Sequence, residues 1–160
     1  MILTIARTAA QKWTEGITMR EILFRGKRTD NGEWVYGNLV RGCDEKYAYI
    51  VEFGNREMCR NYVDVNPETV GQYTGLKDKN GTKIFEGDIV LVPYIDPVFK
   101  CTWNDASPCE RAIVKYCNGM FYVEYIESGD KFTLPAMDGY MKIIGNIYDN
   151  PELLEGDNNG

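Results

Sequence analysis

The sequence predicts a mainly β protein with little helix, a small β unit followed by an SH3-like barrel, and three observations carry that expectation. Turn-forming residues punctuate Val65 to Val92, VNPETVGQYTGLKDKNGTKIFEGDIVLV, at intervals that fit strands and little else. The pairs Asn31-Gly32 and Asn118-Gly119 each separate runs of strand-forming residues and supply the positive φ that hairpin turns need. Five short strands then follow one another between about Asp88 and Tyr148, the complement of a small SH3-like barrel.

Residues Met1 to Thr18 stand apart from this pattern. Ile2 to Gln11 offers only a narrow, mostly alanine helical strip, with Leu3, Ala6, Ala9 and Ala10 near one face. Met19 is the expected start of the native protein, because Glu15-Gly16 can be encoded by GAAGGA, which resembles a ribosome-binding site. The alternative is an N-terminal arm that docks on the sheet or on a partner. From Met19 the pattern becomes β. Ile22 to Lys27, the turn Thr29-Asp30-Asn31-Gly32 and Glu33 to Val40 make a hairpin. In its first strand Arg20, Ile22, Phe24, Gly26 and Arg28 share one face, and Glu21, Leu23, Arg25 and Lys27 the other. In its second strand Trp34 and Tyr36 share a face opposite Val35 and Gly37, so both sides are expected to be partly covered.

Strands are expected next at Tyr47 to Phe53 and Met58 to Val65, with the first unit spanning residues 19–75 and the barrel residues 76–150. The turn Asp78-Lys79-Asn80-Gly81 leads to Lys83 to Phe85, then Asp88 to Tyr94. Pro93 to Glu110, with Pro93, Pro97 and Pro108, is too long for a plain turn. The hairpin Ala112 to Tyr116 and Phe121 to Ile126, a short run Lys131 to Leu134 and a last strand Tyr140 to Tyr148 complete the barrel. Asn150-Pro151-Glu152 reads as the start of one capped helical turn closing the domain near Leu154, and the tail 155–160 as disordered.

Composition excludes much chemistry. The chain of 160 residues contains no histidine, which removes Ser-His-Asp and Cys-His catalysis and imidazole metal ligands. Its five cysteines are at least eight residues apart, so the CxxC spacing of zinc and redox sites is absent and reduced cytoplasmic thiols are expected. Cys101, Cys109 and Cys117 recur every eight residues, a spacing that fits incidental thiols better than ligands. No apolar run approaches the length of a membrane span. The net charge of −6 repels phosphate backbones, and the one basic cluster in sequence, Arg20, Arg25, Lys27 and Arg28, is split between two strand faces. Tyr36, Tyr47, Tyr49, Tyr122 and Tyr125 resemble a base-stacking platform that lacks its cationic half. Glu86-Gly87-Asp88 reads as a bend whose Asp88 bonds local backbone, and Asp78, Asn80 and Gly81 as a tight turn, since the later calcium ligands are missing. Asp138, Asp149 and Glu152 read as solvated charges.

Four features taken in order resemble the YopX family of small phage and prophage proteins. They are REILFRGKR at Arg20 to Arg28, VNPETVGQYTGLKDKNGTKIFEGDIV at Val65 to Val90, IIGNIYDNPELL at Ile143 to Leu154, and the spacing between them. The resemblance covers Met19 to about Leu154. It implies a mostly β fold with an SH3-like barrel in the C-terminal part, a bacterial or phage setting, and no established activity. The expected function is a non-enzymatic, cofactor-free binding module in the bacterial cytoplasm for a phage or host protein partner. It would act through sheet edges or through Phe99 and Trp103 in the Pro93 to Glu110 segment, with self-association through an edge strand as a further option. The alternative is a nucleic-acid-binding accessory protein that uses Arg25, Lys27 and Arg28.

Overall fold

Strand-forming residues between glycine-rich turns give eleven strands among the described residues, distributed over two antiparallel sheets. A computed structural model describes residues 21–44, 46–53, 60–93, 109–134 and 139–155. The expected N-terminal extension, Phe99, Trp103, Cys101, Asp138 and residues 156–160 of the tail lie outside those residues.

The first sheet contains β1 (Phe24–Lys27), β2 (Trp34–Arg41), β3 (Ala48–Phe53), β4 (Arg60–Val65), β5 (Gly71–Lys77) and β6 (Lys83–Phe85), in the order β4-β3-β2-β1-β5-β6. Meander hairpins account for β1 to β4, but β5 returns across the sheet to lie beside β1. The connection is the single 3₁₀ turn Pro67–Thr69, where the Asn66 side chain accepts the Glu68 N–H and proline occupies the first turn. This turn also finishes β1: the Lys27 N–H donates to Thr69 Oγ1 at 2.9 Å and the Asn66 N–H to the Lys27 carbonyl at 2.8 Å. One face of the sheet buries Val35, Ala48, Ile50 and Val65, with Phe24, Leu39, Val63 and Val70 packed around them.

The second sheet contains β7 (Asp88–Pro93), β8 (Cys109–Cys117), β9 (Met120–Tyr125), β10 (Lys131–Thr133) and β11 (Lys142–Asn146), in the order β10-β9-β8-β7-β11. The five strands expected from sequence are all present. Among the described residues they hydrogen-bond as an open sheet, with β10 and β11 at its ends and unpaired to each other. Asn118 and Gly119 turn the β8–β9 hairpin at φ of +52° and +82°, the pair of left-handed residues that matches strand twist. In β7 both faces are covered, as its unbroken run of apolar residues implies. Its Val90 and Val92 join Ile84, Ala112, Val114, Val123, Leu134 and Met141 in the second core.

Ile84 of β6 and Leu76 of β5 pack into that second core although their strands hydrogen-bond in the first sheet. The expected division after residue 75 falls within β5 of the first sheet. Gly75, at φ +93°, lies inside β5, where the β5–β6 register shifts, and the chain passes between sheets at Glu86-Gly87 instead. A positive φ marks a bulge as well as a chain reversal, and the residues alone do not separate the two.

Gly87 is the hinge of the fold. Its N–H donates to the Val114 carbonyl at 2.9 Å, its own carbonyl accepts from Ile147 at 3.0 Å, and the preceding Glu86 N–H donates to Gln72 at 3.0 Å. One dipeptide thus ties β5, β8 and the segment after β11. Gly87 sits at φ +82°, and an added Cβ would lie 3.3 Å from the Tyr148 ring. Gly87→Ala is expected to lower stability by about 1–2 kcal/mol through left-handed backbone strain alone. Urea unfolding checks this, and an unchanged midpoint would contradict it.

Candidate functional site

Opposed residues of an antiparallel pair share a face, so the register Arg25↔Tyr36 and Lys27↔Trp34 gathers these four side chains on the side of the first sheet away from its core. That side meets the second sheet. The Arg25 guanidinium lies 4.6 Å from the Trp34 ring centroid and 5.0 Å from that of Phe85, and Nη2 donates to Asp88 Oδ1 at 2.7 Å and to the Glu86 carbonyl at 3.2 Å. Arg25 is 6 % exposed and Asp88 2 %. The remaining Asp88 oxygen accepts the Phe85 N–H at 2.8 Å, the local backbone bond that the Glu86-Gly87-Asp88 bend implies. Burial pushes the Asp88 carboxyl up, while the guanidinium and the Phe85 N–H pull against it. Burial likewise raises the Glu86 carboxyl, opposed by the N–H groups of Gln72 and Tyr116.

A second clamp lies beside the first. Asp149 accepts from Lys27 Nζ, from Trp34 Nε1 at 2.7 Å and from Asn146 Nδ2 at 2.9 Å. The Asn146 and Lys27 bonds hold its pKa at about 2, against the cost of partial burial. Asp149 is thus a structural anchor rather than the solvated charge expected from sequence. Tyr148, its neighbour, donates its hydroxyl to the Glu68 carbonyl at 2.7 Å. Asp78 performs a similar task at the other end. Its carboxylate accepts the N–H groups of Asn80 at 2.9 Å and Thr82 at 2.8 Å, closing the tight turn, and that of Ile143 at 3.4 Å, reaching β11. Burial opposes its charge, but these bonds outweigh it and keep the pKa below the ordinary carboxylate range.

The expected basic strand end is therefore distributed among carboxylates. Arg25 is committed to Asp88, Lys27 to Asp149, and Arg28 makes a bidentate pair with Asp30 at 2.6 and 2.8 Å. The tyrosines divide between the sheets, Tyr36, Tyr47 and Tyr49 with the first and Tyr122 and Tyr125 in β9 of the second. Cys109 and Cys117 stand at opposite ends of β8, about 26 Å apart at the rise of a strand, too far to share a metal ion.

What the sequence left unseen is a concentration of apolar surface at the far end of the second sheet. Tyr116, Met120 and Phe132 are 50 %, 51 % and 48 % exposed, and the rings of Tyr116 and Phe121 meet at a tilt with centroids 5.0 Å apart. Tyr116 and Met120 border an open cleft of about 340 Å³ between β5 and the β8–β9 hairpin, whose walls include Leu76, Phe121 and Leu134. A second depression of about 380 Å³, lined by Cys117, Tyr122, Lys131 and Phe132, opens nearby. By contrast, the charged groups in the cleft of about 450 Å³ at the Arg25 junction are already paired, Arg25 with Asp88 and Lys83 with Glu21.

The family model described as YopX protein matches residues 23–155, most of the chain and both sheets. The chain belongs to the YopX family. Two solved structures share the fold: protein EF1440 from Enterococcus faecalis, 24 % identical with a TM-score of 0.52, and protein yopX from Bacillus subtilis, 19 % identical with a TM-score of 0.51. The comparison spans 86 % of this chain in each case, and 100 % and 98 % of those chains respectively. Among curated proteins no match was found. No helix among the described residues of this YopX-family chain is long and apolar enough to cross a membrane.

Two outcomes test the junction. Asp88→Asn leaves a buried guanidinium without a counter-charge and is expected to cost about 3–5 kcal/mol, whereas Arg25→Met combined with Asp88→Asn is expected to recover part of that loss. Chemical denaturation of both single variants and the double variant measures the coupling, and simple additivity would contradict a paired role. For Asp149 the folded pKa lies below the ordinary 3.8, so its contribution is present above that value and fades as pH falls toward about 2. The stability difference between wild type and Asp149→Asn should therefore shrink across that window. A difference that grows on acidification would refute the assignment.

Proposed function

We propose that this YopX-family chain is a non-enzymatic binding module for a protein partner, acting in the phage or prophage setting of the bacterial cytoplasm that its sequence resemblance implies. One observation carries the reading: half-exposed Tyr116 and Met120 line the cleft walled by Leu76, Phe121 and Leu134, and half-exposed Phe132 lines the depression that shares Met120 with it. Grouped aromatic and methionine side chains on a surface are characteristic of protein contacts, where large apolar area is gained at modest cost in side-chain freedom. The nucleic-acid alternative draws less support, because Arg25, Lys27 and Arg28 are each neutralised by a carboxylate and Arg25 is buried. Phe99 and Trp103, the anchors expected from sequence, lie outside the described residues, and the cleft carries the proposal without them.

Affinity capture from the native host provides the test. A partner retained by the wild type should be lost on Met120→Asp and on Tyr116→Ser, both at exposed positions where folding tolerates change. Capture unaffected by either substitution would remove the cleft from the account. A DNA affinity that falls steeply with salt and disappears in Lys27→Ala/Arg28→Ala would transfer the function to the nucleic-acid reading.

A further inference from the structure

We propose that the outer edge of β10 receives an extended acidic–apolar peptide segment of the partner as an added strand. This deepens the binding-module reading and rests on it.

The backbone supplies the first argument. β10 ends the second sheet, pairing with β9 through Lys131↔Glu124, Phe132↔Val123 and Thr133↔Tyr122. The Tyr125 N–H donates to the Asp130 carbonyl at 2.9 Å, which sets the phase of the ladder. In an antiparallel pair, bonded and non-bonded residues alternate, so Phe132 points its peptide groups toward β9 while Lys131 and Thr133 point theirs away. Among the described residues no strand accepts them.

The two clefts give the second argument. Met120 and Thr133 line both, so the clefts adjoin at the Thr133 end of this strand. Side chains of an added strand alternate between faces, so one set would fall among Leu76, Phe121 and Leu134 and the other beside Lys131 and Tyr122. Each set meets a different chemistry.

Charge identifies the occupant. Lys115 at 2.7 Å and Lys131 at 3.3 Å share the single Glu124 carboxylate, leaving one positive charge in surplus on a chain of net charge −6. An acidic side chain on that face would satisfy it, with an apolar one on the other. A short lysine-bearing edge commonly serves to repel added strands. Here the surplus charge is shared with Lys115 and the edge is flanked by two clefts, so the lysine selects an acidic occupant instead of excluding every strand. A second copy of the chain fits less well, since antiparallel pairing of two β10 edges would bring two surplus cations together.

The test uses labelled short peptides alternating Asp and Val, a Lys-for-Asp counterpart, and versions N-methylated in one register or the other. The Asp/Val peptide should bind in fluorescence anisotropy, weaken with salt, and slow hydrogen exchange at the Lys131 and Thr133 amides. The Lys counterpart should bind about tenfold more weakly, and Lys131→Glu should invert that preference. N-methylation should abolish binding only in the register that faces β10, a result that does not depend on how any variant folds. Indifference to register, absence of binding, or a doubled mass in sedimentation through β10-to-β10 pairing would overturn the proposal. If partner capture still depends on Met120 and Tyr116 when the peptide arms fail, strand addition falls and the binding-module reading stands.

Discussion

A guanidinium buried between two sheets must be neutralised, and the arrangement of this protein follows from how Asp88 meets that requirement. Arg25 lies between Trp34 and Phe85, where an unpaired charge would be strongly destabilising. Asp88 supplies the counter-charge from the first residue of β7, and its second oxygen is held by the Phe85 N–H. That geometry needs the chain to turn sharply between β6 and β7, which Gly87 allows at φ +82°. The same turn hands hydrogen bonds to β5, β8 and the segment after β11, so the bend that places the carboxylate also joins the sheets.

The neighbouring contacts repeat the strategy with cheaper components. Lys27 and Trp34 converge on Asp149, Tyr148 reaches the Pro67–Thr69 turn, and Asp78 reaches β11. Carboxylates from the sheet junction and the C-terminal segment thereby take up the cations of β1 that an outside ligand would otherwise use. Surface ion pairs of this kind add little stability individually. Among the described residues both cations of β1, Arg25 and Lys27, are paired with carboxylates.

Local signals were legible where backbone conformation is a property of a few adjacent residues. The turn Asn118-Gly119, the β6 strand Lys83–Phe85, the Asp78 turn and the five strands of the second sheet are of this kind. Gly75 was not, because a glycine at positive φ closes a turn or bulges a strand according to what pairs beside it. Membership of β5 in the first sheet depends on Gln72 and Gly71 finding β1 some fifty residues earlier. Asp149 was misread for the same reason: its partners Lys27 and Trp34 are 122 and 115 residues away.

The β class, most strand positions, the lack of histidine and the YopX family membership that the family model bears out are all written in the order of residues. These depend on alternation, turn residues and local motif spacing, which neighbouring side chains and backbone sterics dictate. Packing sets which charges pair inside the fold and which apolar side chains are exposed among the described residues. A cluster of Arg25, Lys27 and Arg28 looks cationic in sequence, but Coulomb attraction acts on distance in space, and there each meets a carboxylate. The cleft beside β10 likewise draws its walls from Leu76, Phe121 and Leu134, residues on separate strands that only packing brings to one place.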